Sequence, residues 1–164
     1  MLVISNHLDG KIPIPKEAVI RINLAWIKSV EEAREIIKNC KNNIYLDYPD
    51  GRTKPPKPTI TFAEALELSK MDKVKYFAIS NAENIDLLSD IKEKVTCELV
   101  PKIETGVGVK IIDDIIKLGI KMIMLDKDDL YVNCNCDTDL YRIALDEVRS
   151  KDIKILELQG VIFK

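Results

Sequence analysis

Short apolar, β-branched runs alternate with capped amphipathic stretches along the whole chain, and this alternation limits the fold more than any other feature. The runs are Leu2 to Ser5, AVIRINLAW (18–26), NIYLDY (43–48), VKYFAIS (74–80), CELVPKIE (97–104), IKMIMLD (120–126) and IKILELQGVIF (153–163). Helical patterns lie between them. Ser29-Val-Glu-Glu32 has the spacing of a capping box and opens EEAREIIKNC, and Thr61-Phe-Ala-Glu64 does the same for EALELSK. NIDLLSDIKEKV and GVKIIDDIIKLG follow the fourth and fifth runs, with Gly119 placed to stop the latter. LYRIALDEVRS sets Leu140, Ile143, Ala144 and Val148 on one face.

Strands separated by helices of about 10–15 residues form βαβ units, and such units build a parallel sheet. A closed (β/α)₈ barrel typically takes about 250 residues, whereas this chain has 164. The expected fold is therefore α/β: a partial, TIM-barrel-like parallel sheet of six to seven strands that lacks the last units of a full barrel. No repeat, low-complexity tract or linker divides the chain, so 1–164 is expected to be a single domain. The Pro-rich segment DYPDGRTKPPKPT (47–59) reads as a stiff loop at the carboxyl end of a strand.

Composition narrows the partners. At 46% apolar and 32% charged residues, the chain is too apolar for disorder. Its 25 basic and 27 acidic residues nearly cancel, so it has no bulk attraction to nucleic acid or to an anionic membrane. No apolar run approaches the roughly 20 residues of a membrane span. MLVISNHLDGK carries no basic stretch or cleavage pattern, so no secretory signal is expected. Cys40, Cys97, Cys134 and Cys136 fit a reducing cytoplasm better than a disulfide framework. Cys134 and Cys136 are too few for a structural zinc site. The lone His7 lies in a turn and reads as a surface or capping residue.

In parallel α/β folds, chemistry gathers where strands run out into βα loops. Arg21 and Asn23 share one face of the second strand by period two. Asp47 ends the third, with Arg52 just beyond. Lys102 and Glu104 share one face at the end of the fifth, and Asp129 follows the sixth. A carboxylate from one strand end and another from the next loop can hold octahedral Mg²⁺ or Mn²⁺, with substrate oxygens and water completing the shell. The alternative for Glu104 and Asp129 is an exposed, solvated rim. Gly106 and Gly108 open a helix in TGVGV, where backbone N–H groups can hold an anion.

PKIETGVGVKIIDDIIKLGIKMIMLDKDDL resembles the pyruvate kinase stretch that runs from KIEN to GDL. Upstream, VIRINLAW is similar to that family's VARLNFSHG, IYLDYPDGRT to its LLDTKGPEIRT, and ISNAENIDLL to its SFVRSAEDVLEL. The four motifs occur in family order across roughly residues 18–130. The Ile-Glu-Thr and Asp-Leu elements also resemble the wider phosphoenolpyruvate/pyruvate-binding TIM-barrel superfamily. That superfamily includes citrate lyase β-subunit-like enzymes and metal-dependent 2-keto-acid aldolases. The resemblance implies that Arg21 and Arg52 contact phosphate and that Asn23 and Asp47 ligate a monovalent cation. It implies that Lys102 stabilises the transferring phosphoryl group and the enolate, and that Glu104 and Asp129 bind the divalent metal. This set suits the chemistry, because phosphoryl transfer and enolate formation both need positive charge at developing oxyanions.

The departures limit what carries over. Ala25, Trp26 and Tyr48 replace a serine, a histidine and a threonine of the family pattern, which removes two potassium ligands and makes K⁺ doubtful. Lys127-Asp128-Asp129-Leu130 replaces Arg-Gly-Asp-Leu, so Asp128 crowds the place where a glycine lets the backbone approach a carboxylate. The short Pro-rich loop stands where the family has its nucleotide-covering lid, and no C-terminal regulatory domain is expected. The expected function is Mg²⁺- or Mn²⁺-dependent binding of a 2-oxo acid or phosphorylated acid of the pyruvate or phosphoenolpyruvate type. Transferase or lyase chemistry on that acid is the active form of this expectation. The alternative is a catalytically degenerate relative that binds a small anion or a protein. An open sheet edge in ILELQGVIF leads us to expect a homodimer.

Overall fold

The computed structural model describes residues 1–8, 10–51, 55–134, 138–151 and 153–158. The chain divides into two compact units, Met1–Ile79 with Lys94–Glu98, and Ser80–Glu93 with Leu99–Lys164.

The first unit contains β1 (Val3–Ser5), β2 (Val19–Asn23), α1 (Val30–Asn39), β3 (Ile44–Tyr48), α2 (Phe62–Ser69) and β4 (Val74–Ile79). Its strands pair in chain order, every pair parallel. All of β3 is buried, as a strand covered on both faces must be, and this is why IYLDY reads as nearly continuous apolar sequence. Ala33 and Ile37 of α1 and Ala65 and Leu68 of α2 turn inward, and Tyr45 and Phe77 are the largest buried side chains of this unit.

Both helices are N-capped where expected, but only the second closes the full capping box. Thr61 and Glu64 make the reciprocal box: Glu64 N–H donates to Thr61 Oγ1 at 3.3 Å, and Thr61 N–H donates to Glu64 Oε2 at 2.7 Å. At α1, Glu32 N–H donates to Ser29 Oγ, but the Glu32 carboxylate reaches past the cap to the Lys28 N–H at 2.7 Å. The second run ends sooner than its apolar pattern does. Asn23 Oδ1 accepts from Ala25 N–H at 3.0 Å and folds Leu24–Trp26 into a 3₁₀ turn, which leaves Trp26 exposed.

The second unit contains α3 (Ile85–Lys94), β5 (Glu98–Ile103), α4 (Gly106–Lys110), α5 (Ile112–Lys117), β6 (Met122–Asp126), α6 (Lys127–Asn133), α7 (Thr138–Arg149) and β7 (Lys154–Leu158). Lys94 and Glu98, at the ends of α3 and β5, group with the first unit. Here too β5 pairs with β6 and β6 with β7, both parallel. The buried face of this unit is drawn from Leu88, Ile91, Ile103, Ile112, Ile115, Ile123, Leu130, Ala144 and Val148. The fold is thus α/β, with seven strands among the described residues. No helix among those residues is long and apolar enough to cross a membrane.

Two details differ from the sequence pattern. GVKIIDDIIKLG is not one helix, because it breaks at Ile111 (φ −103°, ψ 10°) into α4 and α5. Gly106 and Gly108 make the first piece a weak helix former. DKDDL is not a loop: Asp126 N-caps a short helix there. The part of the last run beyond Leu158 lies outside the described residues.

Gly119 ends α5 as expected. It takes φ +73°, and its N–H donates to Ile116 O at 2.8 Å. An alanine Cβ there would lie 3.4 Å from Lys92 Nζ, so the backbone conformation rather than space is the obstacle. Gly119→Ala is expected to cost about 1–2 kcal/mol, read as a lower urea midpoint with an unchanged circular dichroism spectrum.

Candidate metal centre

The carboxyl end of β5 carries two charged side chains on one face, because residues two apart in a strand point the same way. Lys102 and Glu104 are each only 4% exposed. Their charges meet directly, with Lys102 Nζ 2.7 Å from Glu104 Oε1. The ammonium also donates to Ser80 Oγ at 3.1 Å. Glu104 Oε2 accepts the Asn81 N–H at 2.9 Å, and the Glu104 carbonyl accepts from Asn133 Nδ2 at 3.0 Å. Glu104 is therefore not on an exposed rim.

The next strand end supplies the other carboxylates. Asp126 closes β6 and accepts the Asp129 N–H at 3.3 Å, starting α6. That first turn carries Asp129 back toward β5. One oxygen from each of Glu104, Asp126 and Asp129 lies within 4.8 Å of the others. Glu104 and Asp126 are buried, and Asp129 is half-buried. Sequence reasoning missed Asp126. The missed signal was an aspartate three residues before another at a strand end, which is the spacing of a helix cap.

Burial raises the Glu104 pKa above the usual carboxylate range. The Lys102 ammonium and the Asn81 N–H work against that shift, and the Asp126 charge adds to it. A dication would relieve both the desolvation and the crowding of like charge. The donor set is all carboxylate oxygen, hard ligands that suit Mg²⁺ or Mn²⁺ rather than a thiophilic metal. Both Glu104 oxygens already have partners, yet an ionised carboxylate has about four lone-pair sites and can still bind a cation.

The remaining expected residues sort into separate places. In the first unit, Asn23 and Asp47 are register partners on β2 and β3. Arg21 donates to Asp47 Oδ2 through Nε at 2.8 Å and Nη2 at 2.5 Å. Asp47 is fully buried and Arg21 one-fifth exposed, so the guanidinium expected to face phosphate is engaged by a carboxylate. Asn23 uses its side-chain oxygen as a cap. In the second unit, the Gly108 N–H offered to an anion donates instead to Thr105 Oγ1 at 3.2 Å. Gly108 is small for a packing reason: a Cβ there would lie 3.2 Å from Ala82 O. Gly106 opens the five-residue α4 beside Cys134. His7 pairs with Ser5, Nδ1 to Oγ at 2.7 Å. Arg52 and Cys136 lie outside the described residues.

The sequence matches no protein-family model and no curated protein.

Removing one partner of a buried ion pair strands the other. Lys102→Met is therefore expected to cost about 3–5 kcal/mol at neutral pH. It also removes two of the influences that hold the Glu104 pKa down, so the folded state retains that proton to higher pH. A group whose folded pKa is raised contributes stability at low pH and loses it as pH rises through the folded value. The Lys102→Met deficit should accordingly shrink as pH falls from 7 toward 5, read from urea midpoints at each pH.

Proposed function

We propose that the chain binds Mg²⁺ or Mn²⁺ through Glu104, Asp126 and Asp129, and that the ion and Lys102 together hold a small acid of the pyruvate or phosphoenolpyruvate type. The observation that carries this reading is the convergence of three carboxylates within 4.8 Å beside an ammonium 2.7 Å from one of them. A 2-oxo acid or its enolate presents two adjacent oxygens, which suit a hard cation with open positions. A neighbouring ammonium then meets the charge that develops on the enolate oxygen. The ion would supply Lewis acidity. Lys102, held by Ser80 and Glu104, would place positive charge at the substrate or give up and take back a proton at Nζ.

The motif order in the sequence supports the pyruvate kinase-like and wider phosphoenolpyruvate/pyruvate-binding reading. Sequential, parallel strands in each unit support a partial TIM-barrel-like fold. Asp128 and the Pro-rich loop in place of a lid weigh toward lyase-type or binding activity over nucleotide-dependent transfer. The engagement of Arg21 by Asp47 weighs the same way, since a neutralised guanidinium attracts phosphate weakly. A homodimer built on the edge formed by the C-terminal run that contains β7 is part of the same proposal.

Ligands that bind only the folded state raise its melting temperature. Mn²⁺ should raise it, and oxalate, a stable mimic of the enolate, should raise it further only when Mn²⁺ is present. Glu104→Gln should abolish both shifts, and ADP should bind no tighter than about millimolar, giving no shift at micromolar concentration. A Mn²⁺ shift retained in Glu104→Gln would move the ion elsewhere, and an ADP shift at micromolar concentration would restore a kinase assignment.

A further inference from the structure

Asn81 is the single non-glycine residue with a left-handed backbone among the described residues, at φ +50°. Asparagine tolerates that region better than most side chains, but it is still an unusual conformation to hold. The surrounding bonds show what holds it. Ser80 Oγ accepts from Lys102 Nζ, the Asn81 N–H donates to Glu104 Oε2, and the Ala82 N–H donates to Lys102 O at 3.2 Å. Glu83 Oε1 accepts the Thr105 hydroxyl at 2.5 Å. Four consecutive residues thus bond to residues 102–105, on and just past the end of β5.

Successive amides of an extended chain point to opposite sides. Here the N–H groups of residues 81 and 82 both reach the same strand end, which requires a sharp turn between them of the kind that forms backbone anion nests. The bond to Glu104 Oε2 matters most. Lys102 holds Oε1, so without a second fixed donor the carboxylate could rotate about its terminal torsion, which is broad and shallow.

We propose that Asn81 is a positioning residue of the metal centre: its left-handed backbone aims the amide N–H at Glu104 Oε2 and fixes the carboxylate for a divalent ion. This inference rests on the metal reading above and adds the device that orients the ligand. The backbone carries the effect, so a residue that takes φ +50° freely should preserve it and a β-branched one should not.

The test is titration of Mn²⁺ alone into the full chain, with free Mn²⁺ followed by electron paramagnetic resonance. Loss of an outer partner of a metal ligand typically weakens metal binding about 10–100-fold. Asn81→Val should show that loss. Asn81→Gly should bind within about twofold of wild type, because glycine keeps the conformation at no steric cost. Circular dichroism and urea midpoints identify the folded variants, and Asn81→Ala replaces Asn81→Val if valine prevents folding. Wild-type affinity in a folded Asn81→Val or Asn81→Ala overturns the proposal. So does an equal loss in Asn81→Gly, which would assign the effect to the side chain. Absence of Mn²⁺ binding by the wild type overturns the metal reading itself, and the positioning role with it.

Discussion

A lysine and a glutamate two residues apart, both almost sealed from water, set the terms for the second unit. Neither charge is tolerable alone at 4% exposure, and their 2.7 Å contact makes the pair tolerable only while each keeps its other partners. Ser80 takes part of the ammonium, and Asn81 takes the second carboxylate oxygen. The left-handed turn at Asn81 bonds to Glu104, and the Thr105 cap and Gly108, which packs beneath Ala82 O, follow Glu104 in the chain.

The same solution recurs in the first unit with different chemistry. Asp47 is wholly buried at the end of β3 and is bound twice by Arg21 from β2. In each unit a basic side chain on a strand neutralises a carboxylate at a carboxyl end. The consequences differ. The Arg21–Asp47 pair consumes the guanidinium. The Lys102–Glu104 pair leaves Glu104 beside two further carboxylates, so its local charge remains negative and a dication is the natural complement.

The strands and most helices were legible because their signals are local. The β-branched runs, Thr61 with Glu64, and Gly119 each act within a few residues, and each appears in the structure near its expected place. The errors also have local causes. Asn23 diverted its own backbone into a turn by hydrogen-bonding two residues ahead. Asp126 accepted from the amide three residues ahead at the end of β6 and made a helix of DKDDL. Side-chain competition of this kind is weak in a pattern that counts only apolar positions.

Sequence alone established that this chain alternates strand and helix, that its strands run parallel, and that Lys102 and Glu104 face the same way, because period and handedness are properties of the local backbone. It also placed Asp129 just past a strand end. Tertiary structure decided what those side chains meet. Only the packing of strand ends brings Asp126 and Asp129 to Glu104, turns the Asn81 amide onto its carboxylate and gives Arg21 to Asp47. Glu104 lies 22 residues from Asp126, 25 from Asp129 and 23 from Asn81, and Arg21 lies 26 from Asp47. Burial made the difference between a rim of solvated charges and a demanding site, since the same carboxylate is ordinary in water and costly where water is excluded.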